Sequence, residues 1–474
     1  MSEPSPMPAS SLVRSSQPWL ILAIILLADI VDLLDATITT IAAPSIAQSL
    51  GGGAGLISWL GASYALSMGV LLVPGGRLGD KFGRKRLFLT GIVGFTAASV
   101  ACGLATTPSM IIVSRVLQGA FGALMIPQGF GIISQAFSRE QMGQAFSAFG
   151  PVLGVSAVAG PLVAGALINA NIAGAGWRAA FLVNLFVGIV TFSGAVLILP
   201  EDDGDATVHL DLPGAFLLAS SLFGLLFGII QGAEAGWPVY TRVSLVAGAG
   251  LFAAFARQQR RTATPLLQKS LFRNRGFVAG LIVGLIFFGV LSGLMLVTGL
   301  FVQTGLGYSP FEASLATAPI AVGIVVASIF ARNAVAQLGR RLVVAGVGGV
   351  LAGVAILITI LFAMPDTSQI SALHLTLPLF IIGLGAGPAF AAIFDVALGE
   401  IAPEEAGSAS GSVTAIQQLA SAAGAAGVST IYLHAAASSN QHQAAVISLV
   451  VVAGGLAAAL ICVRGMPRAA AVTG

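Results

Sequence analysis

The segment Leu22–Pro44, LAIILLADIVDLLDATITTIAAP, is apolar and long enough to cross a bilayer, yet it carries Asp29, Asp32 and Asp35. A charged side chain near the bilayer centre costs about 2.5 to 3.5 kcal/mol on insertion scales, so three of them facing lipid would forfeit on the order of 8 to 10 kcal/mol. At about 100° per residue, positions i, i+3 and i+6 span roughly 120° of the helix circumference and about 9 Å of rise. One face of a single helix therefore holds all three carboxylates, with Thr39 on the same arc. Such a stripe fits a water-filled cavity inside a helix bundle, and proton relays are a leading reason for membrane proteins to have one.

Outward from this segment the whole chain has membrane character. Of its 474 residues 57% are hydrophobic and 8% charged, with mean hydropathy +0.97, against about 25% charged in soluble domains. The 60 glycines lie scattered through apolar runs, as expected where helices approach closely. Cys102 and Cys462 both sit in apolar runs, which excludes a disulfide framework or a cysteine metal cluster. The four histidines, His209, His374, His434 and His442, are too dispersed for a metal site.

Apolar runs near 18–44, 56–78, 86–106, 109–134, 142–169, 177–199, 212–232, 240–257, 276–302, 311–331, 341–364, 373–398, 406–432 and 443–464 predict fourteen spanning helices in an all-α membrane protein. With the N-terminus inside, cytoplasmic segments hold 18 of the 21 Lys and Arg; Arg178 and Arg242 fall outside and Arg115 lies within a span. This asymmetry predicts two cytoplasmic termini.

Gly119, Glu140, Gly143 and Ala145 recur 264 positions on as Gly383, Glu404, Gly407 and Ala409, and Gly83-Arg84-Lys85 recurs 256 positions on as Gly339-Arg340-Arg341. Two six-helix bundles with two inserted helices follow. The expected divisions are a cytoplasmic tail over 1–17, a first bundle over 18–200, an acidic loop with the inserted pair and a basic linker over 201–275, and a second bundle with a short tail over 276–474. Duplicated halves with substrate handled between them are a transporter architecture.

Between the second and third runs stands Gly76–Leu89, GRLGDKFGRKRLFL. Its glycines permit a tight turn, and Asp80 at a helix end with Arg84 beyond it can form a charge contact that locks neighbouring helices in one state. The string resembles the loop signature of the major facilitator superfamily. Leu34-Asp35-Ala36-Thr37-Ile38 with Ala42 and Pro44 is similar to the first-helix motif of its drug/proton antiporters, with Thr40 at a usual Asn. Arg115 with Gln118 and Gly119 resembles the fourth-helix motif, whose arginine that family associates with proton coupling. Gly150, Gly154, Gly160, Pro161 and Gly165 resemble the fifth-helix antiporter motif. Trp177-Arg178, Phe181 and Asn184 resemble a sixth-helix string of the fourteen-helix branch, with Phe186 in place of the usual Pro.

The resemblance implies a major facilitator fold with fourteen spans in the plasma membrane. It also implies a proton-coupled exporter of amphipathic drugs or toxic compounds working by alternating access. Asp29, Asp32, Asp35 and Arg115 are the expected proton-coupling residues; Asp35 and Arg115 match in depth, as a static ion pair or as a moving one. Gly76, Asp80, Gly83 and Arg84, with the fifth-helix glycines and Pro161, are the expected conformational switch. Trp59, Tyr64, Phe121, Gln128, Asn184, Phe287, Phe288, Gln303 and Asp395 are candidate substrate contacts, since sites for varied ligands are mostly apolar with few fixed polar groups. The readings beside this one are an exporter dedicated to one metabolite and a non-transporting sensor on a transporter fold. No HExxH, GxSxG or P-loop occurs, and Gly383-Leu384-Gly385-Ala386-Gly387 lies in an apolar helix, so neither an enzyme nor a nucleotide-driven pump is expected. No cofactor beyond the coupling proton and no nucleic-acid partner is expected.

Overall fold

Long apolar runs without water must close their own backbone hydrogen bonds, which leaves the helix as their only open-chain form. The computed structural model describes residues 17–137, 156, 159–206, 211–262, 265–266, 271–331, 338–398, 401 and 406–467. Among them the helices in order are α1 (Gln17–Leu50), α2 (Gly53–Phe82), α3 (Arg84–Gly103), α4 (Pro108–Ala136), α5 (Ala159–Ala170), α6 (Arg178–Ile198), α7 (Leu212–Ala235), α8 (Val239–Arg261), α9 (Arg275–Leu300), α10 (Pro310–Ala331), α11 (Arg340–Ala363), α12 (Ala372–Leu398), α13 (Ala406–Ser438) and α14 (Gln441–Cys462). No strand occurs among the described residues. Eleven of the helices are long and apolar enough to cross a bilayer, against an expectation of fourteen. The three not counted are α1, α13 and the short described part of α5.

Polar side chains start several helices by accepting the first free backbone N–H groups. Thr107 accepts from Met110 at 3.2 Å, Asp211 from Gly214 at 2.9 Å, Asn274 from Phe277 at 2.9 Å and Asn440 from Gln443 at 2.8 Å. Helices α1 and α3 begin at the end of the bundle where α4 and α6 finish. The Trp19 ring at the start of α1 meets Phe137 just past α4 at 5.4 Å, and Leu22 and Ile25 cluster with Phe88, Ile133 and Leu199.

Several pairs among α1–α6 pack as their counterparts among α9–α14 do: α2 on α4 like α10 on α12, α3 on α4 like α11 on α12, and α3 on α6 like α11 on α14. The recurring glycines explain themselves at these crossings. A Cβ on Gly119 would strike the Tyr64 carbonyl, and one on Gly383 the Ile320 carbonyl, so only glycine lets each pair of backbones touch. Tyr64 and Ile320 are themselves 256 positions apart, the spacing of the turn motif.

The two sets of helices meet along α2 and α13. At the end remote from the termini Ser58 and Ser429 share a 2.9 Å hydrogen bond, and Ser314 of α10 donates to the Pro161 carbonyl of α5 at 2.6 Å. The inserted hairpin lies across this seam. Leu226 and Ile230 of α7 pack with Trp59, Ala62 and Leu66 of α2 and with Ala422 and Ala426 of α13. Helix α8 packs chiefly on α7, and Asp211 ties the pair by accepting from Gln258 at 2.8 Å and Gln259 at 2.6 Å.

Candidate functional site

Helices α1, α2, α3, α4 and α6 converge on the carboxylate of Asp35, which has no solvent exposure. Arg115, one per cent exposed, forms an ion pair to Oδ2 through Nη1. Gln118, one turn further along α4, donates from Nε2 to Oδ1 at 2.6 Å, and Asn184 of α6 donates from Nδ2 to the same oxygen at 3.0 Å. The donors are themselves held. Arg115 also donates to Gln118 Oε1 at 2.8 Å and, through Nε, to the Leu60 carbonyl at 3.2 Å. Ser99 accepts from Asn184 at 3.0 Å and donates to the Phe181 carbonyl at 3.0 Å. Burial of both charges removes the water that weakens a surface pair, and the surrounding amides complete the carboxylate's lone pairs.

The guanidinium of Arg115 lies 4.3 Å from the centre of the Tyr64 ring, a cation over an aromatic face. The Tyr64 hydroxyl donates to Asp32 Oδ1, which extends the network one turn along α1. Asp29, a turn further towards the termini, is half-buried and makes no hydrogen bond or ion pair among the described residues. The three carboxylates expected on one stripe thus have three different surroundings: an ion pair, a phenol, and no partner.

The turn between α2 and α3 hinges on Gly83, whose φ of +93° a larger residue adopts only with strain. Gly83 closes α2 by donating to the Gly79 carbonyl at 2.9 Å. Asp80 Oδ1 accepts from Arg84 Nη2 at 2.9 Å and Nε at 3.2 Å across this turn. A second acid does what the sequence did not signal. Asp202, in the loop after α6, accepts the Arg84 N–H at 2.9 Å and the Lys85 N–H at 3.3 Å, capping α3. Glu201 pairs with Lys85 at 3.1 Å, and the Asp205 N–H donates to the Asp80 carbonyl at 2.7 Å. Carboxylates at a helix N-terminus are favoured by its dipole, typically by about 0.3 to 1 kcal/mol each.

The remaining expected residues fall in several places. Gly76 lies within α2 beside Pro127; Gly160 faces Thr37 of α1, and Gly165 faces Pro310 and Ser314 of α10. Gly150 and Gly154 lie outside the described residues. Among the candidate substrate contacts, Tyr64 and Asn184 direct polar atoms at Asp32 and Asp35. Gln128 donates to the Gly75 carbonyl at 2.8 Å, and Gln303 to the Gly299 carbonyl at 3.3 Å in a π-turn that ends α9. Trp59 stacks against Phe223 and Phe227 of the hairpin at 5.8 and 6.5 Å, while Phe121 packs on Gly94. Phe287 and Phe288 join Phe390 and Phe394 of α12 in one ring cluster, with centres 5.1 to 6.1 Å apart. Asp395 keeps a buried Oδ2 without a partner. A cavity of about 150 Å³ opens elsewhere, between Ser58 of α2, Ile230 of α7 and His434 of α13.

Comparison with known proteins fits this arrangement. The family model described as Major Facilitator Superfamily matches residues 25–425. The chain is 42% identical over 419 residues to the "Probable actinorhodin transporter" of Streptomyces coelicolor, covering 87% of this chain and 72% of that protein. It is 35% identical over 428 residues to the "Puromycin resistance protein pur8" of Streptomyces alboniger, covering 89% and 83%. The crystal structure of the human organic anion transporter MFSD10 (TETRAN) has the same fold, with TM-score 0.62 at 16% identity over 94% of this chain and 99% of that one. An all-helical chain with two matching sets of helix crossings, a family match across 25–425 and relatives of this kind belongs to the Major Facilitator Superfamily, and is a membrane transporter rather than an enzyme.

Proposed function

We propose that the protein is a proton-coupled secondary active exporter of amphipathic drugs or antibiotics. The observation that carries this reading is the fully buried Asp35–Arg115 pair. A carboxylate held there by a cation and two amides is a site for one proton, and protonation would dissolve the pair. The similarity to resistance and transport proteins supports export as the direction and drugs as the substrate class. On this reading fourteen helices span the plasma membrane, both termini are cytoplasmic, and the halves over 18–200 and 276–474 rock about the α2–α13 seam. The hydrogen bonds Ser58–Ser429 and Ser314–Pro161 break when the outer end opens. Gly160 and Gly165 let α5 ride close against α1 and α10 during that motion. The potential alone supplies about 2.3 kcal/mol per charge per 100 mV, more than tenfold accumulation per proton at about 1.4 kcal/mol per decade.

A narrower reading, export of one metabolite, is favoured by the 42% identity to a protein named for a single compound. One experiment tests both. In proteoliposomes an inward-directed proton gradient should drive export of puromycin, ethidium or other members of an amphipathic panel, with proton movement on substrate addition. Movement of one compound selects the narrow reading. Transport indifferent to the gradient and to a protonophore would refute proton coupling.

The turn at Gly83 gives a separate expectation. Asp80→Asn keeps the shape of the acceptor but removes its charge, so the Arg84 contact that steadies α2 against α3 weakens. Turnover should change several-fold with little change in substrate affinity, because the turn lies at the end of the bundle, remote from its middle. Equilibrium binding beside transport rate checks this; lost affinity with normal turnover contradicts it.

A further inference from the structure

Two amides donate to Asp35, and they differ in how they are held. Gln118 is engaged at both ends: Nε2 on Asp35 Oδ1, and Oε1 under Arg115 Nη1 at 2.8 Å with Cys102 Sγ at 3.6 Å. Turning it over would set its NH₂ against a guanidinium, two donors face to face. Asn184 is engaged at one end only. Its Nδ2 serves Asp35 and Ser99, while its Oδ1 is buried with no partner among the described residues. A buried amide oxygen left unpaired is costly and calls for an explanation.

We propose that Asn184 is a positioning residue that reads the protonation state of Asp35 by turning its amide over, donating to the carboxylate and accepting from the acid. In the ionised state the arrangement is the one described. When an incoming proton forms an O–H bond on Asp35 Oδ1, that oxygen needs an acceptor rather than a second donor. Rotation about the terminal amide torsion, which is broad and roughly two-fold, brings Asn184 Oδ1 to it. The Ser99 hydroxyl, free to rotate, then donates to the same oxygen. One amide atom is unpaired in either state, and the Ser99 hydroxyl exchanges the Phe181 carbonyl for Asn184 Oδ1, so the turn gives up that one side-chain bond. No covalent bond other than that O–H forms or breaks, and the proton leaves to water on the return. Released from the carboxylate's charge, Arg115 keeps the Leu60 carbonyl, Gln118 Oε1 and the Tyr64 ring.

The titratable and charged groups around this centre are Asp35 and Asp32 on α1, Tyr64 on α2, Cys102 on α3 and Arg115 on α4. On α6 itself Arg178 is engaged elsewhere, with the Ala105 carbonyl at 3.0 Å. Only Asp35 lies within hydrogen-bond distance of Asn184 among them.

The inference rests on the proton-carrying role proposed for Asp35. Its test needs no substrate: infrared difference spectra of the full-length protein, acid minus alkaline, with the Asp35 carboxylic band identified by its loss in Asp35→Asn. Asn184→Leu should move that band to higher frequency, because the acid loses its acceptor. Asn184→Thr, whose hydroxyl both donates and accepts, should restore it, and Gln118→Leu should leave it in place. Titration of the band separates the amides further. Gln118→Leu removes a fixed donor to the ionised form, so the midpoint should rise by about one pH unit. Asn184→Leu removes one bond from each form, so its midpoint should move by less than about half of that. An unmoved band in Asn184→Leu, or a midpoint shift equal to that of Gln118→Leu, would make Asn184 a fixed donor and overturn the proposal. Absence of any band that Asp35→Asn removes would instead overturn the proton-carrying role itself.

Discussion

Asp35→Asn is expected to abolish proton-driven export while the protein still inserts and folds. The substituted amide is nearly isosteric, and its oxygen can take over hydrogen bonds from Gln118 and Asn184. Neutralising an acid in the bilayer removes a burial cost instead of adding one. What remains is Arg115 without its counter-charge, and three contacts soften that loss: the Leu60 carbonyl, Gln118 Oε1 and the Tyr64 face. Yet a side chain with no titratable proton cannot take one up and give it back, so coupled turnover should fall to background. Efflux from vesicles under an imposed pH gradient, at matched membrane abundance, checks this. Unchanged pH-driven efflux would move the proton site to Asp32 or Asp29. Those two carboxylates give the alternative its content, since among the described residues Asp32 holds only the Tyr64 phenol and Asp29 no partner.

The second large effect is expected at Arg115. Arg115→Gln leaves the Asp35 carboxylate buried without its cation, and breaking one side of a buried pair typically costs about 3 to 5 kcal/mol while the charge stays. The carboxylate escapes by holding its proton, so the pH profile of transport should move to higher pH, with a less stable protein above that range. Arg115→Lys keeps the charge but has no planar fork to reach Asp35, Gln118 and the Leu60 carbonyl together. It should therefore lie between wild type and Arg115→Gln. Adding Asp35→Asn to Arg115→Gln should recover thermal stability, because neither member of that pair is then left as a lone buried charge. Superimposable profiles for all three proteins would reduce Arg115 to a packing residue.

Much of the frame is legible from residue type and spacing. Apolar runs locate most of the helices to within a few residues, although α1 and α13 run six residues past their expected ends and the fifth run lies largely outside the described residues. A depth count from the ends of α1 and α4 brings Asp35 and Arg115 to one level. The repeated glycines mark the α2–α4 and α10–α12 crossings because close backbones tolerate nothing else. Polar residues inside apolar helices are less legible. Tyr64, Gln128 and Asn184 have the composition of a ligand-binding wall, yet each directs a polar atom at another helix, and the rotation of a helix that is apolar all round is not written in its periodicity. Asp202 escapes notice for another reason. An acidic loop reads as solvated, and its hold on the start of α3 joins residues 118 positions apart. The bond between Ser58 and Ser429 spans 371 positions and carries no local signal at all.

The hairpin across the α2–α13 seam also bears on how the chain is made. Synthesis delivers α2 long before α13, and roughly 170 residues separate the end of α7 at Ala235 from the start of α13 at Ala406. At about 5 to 20 residues per second, the α2 surface that α13 will finally cover waits on the order of 15 to 65 s, because roughly 320 residues lie between Phe82 and Ala406. Helices α7 and α8 emerge near the middle of that interval, and Leu226 and Ile230 reach Trp59, Ala62 and Leu66 before α13 exists. The inserted pair is thus the earlier of the two neighbours of α2 along this seam, and α13 arrives to an edge that α7 already flanks.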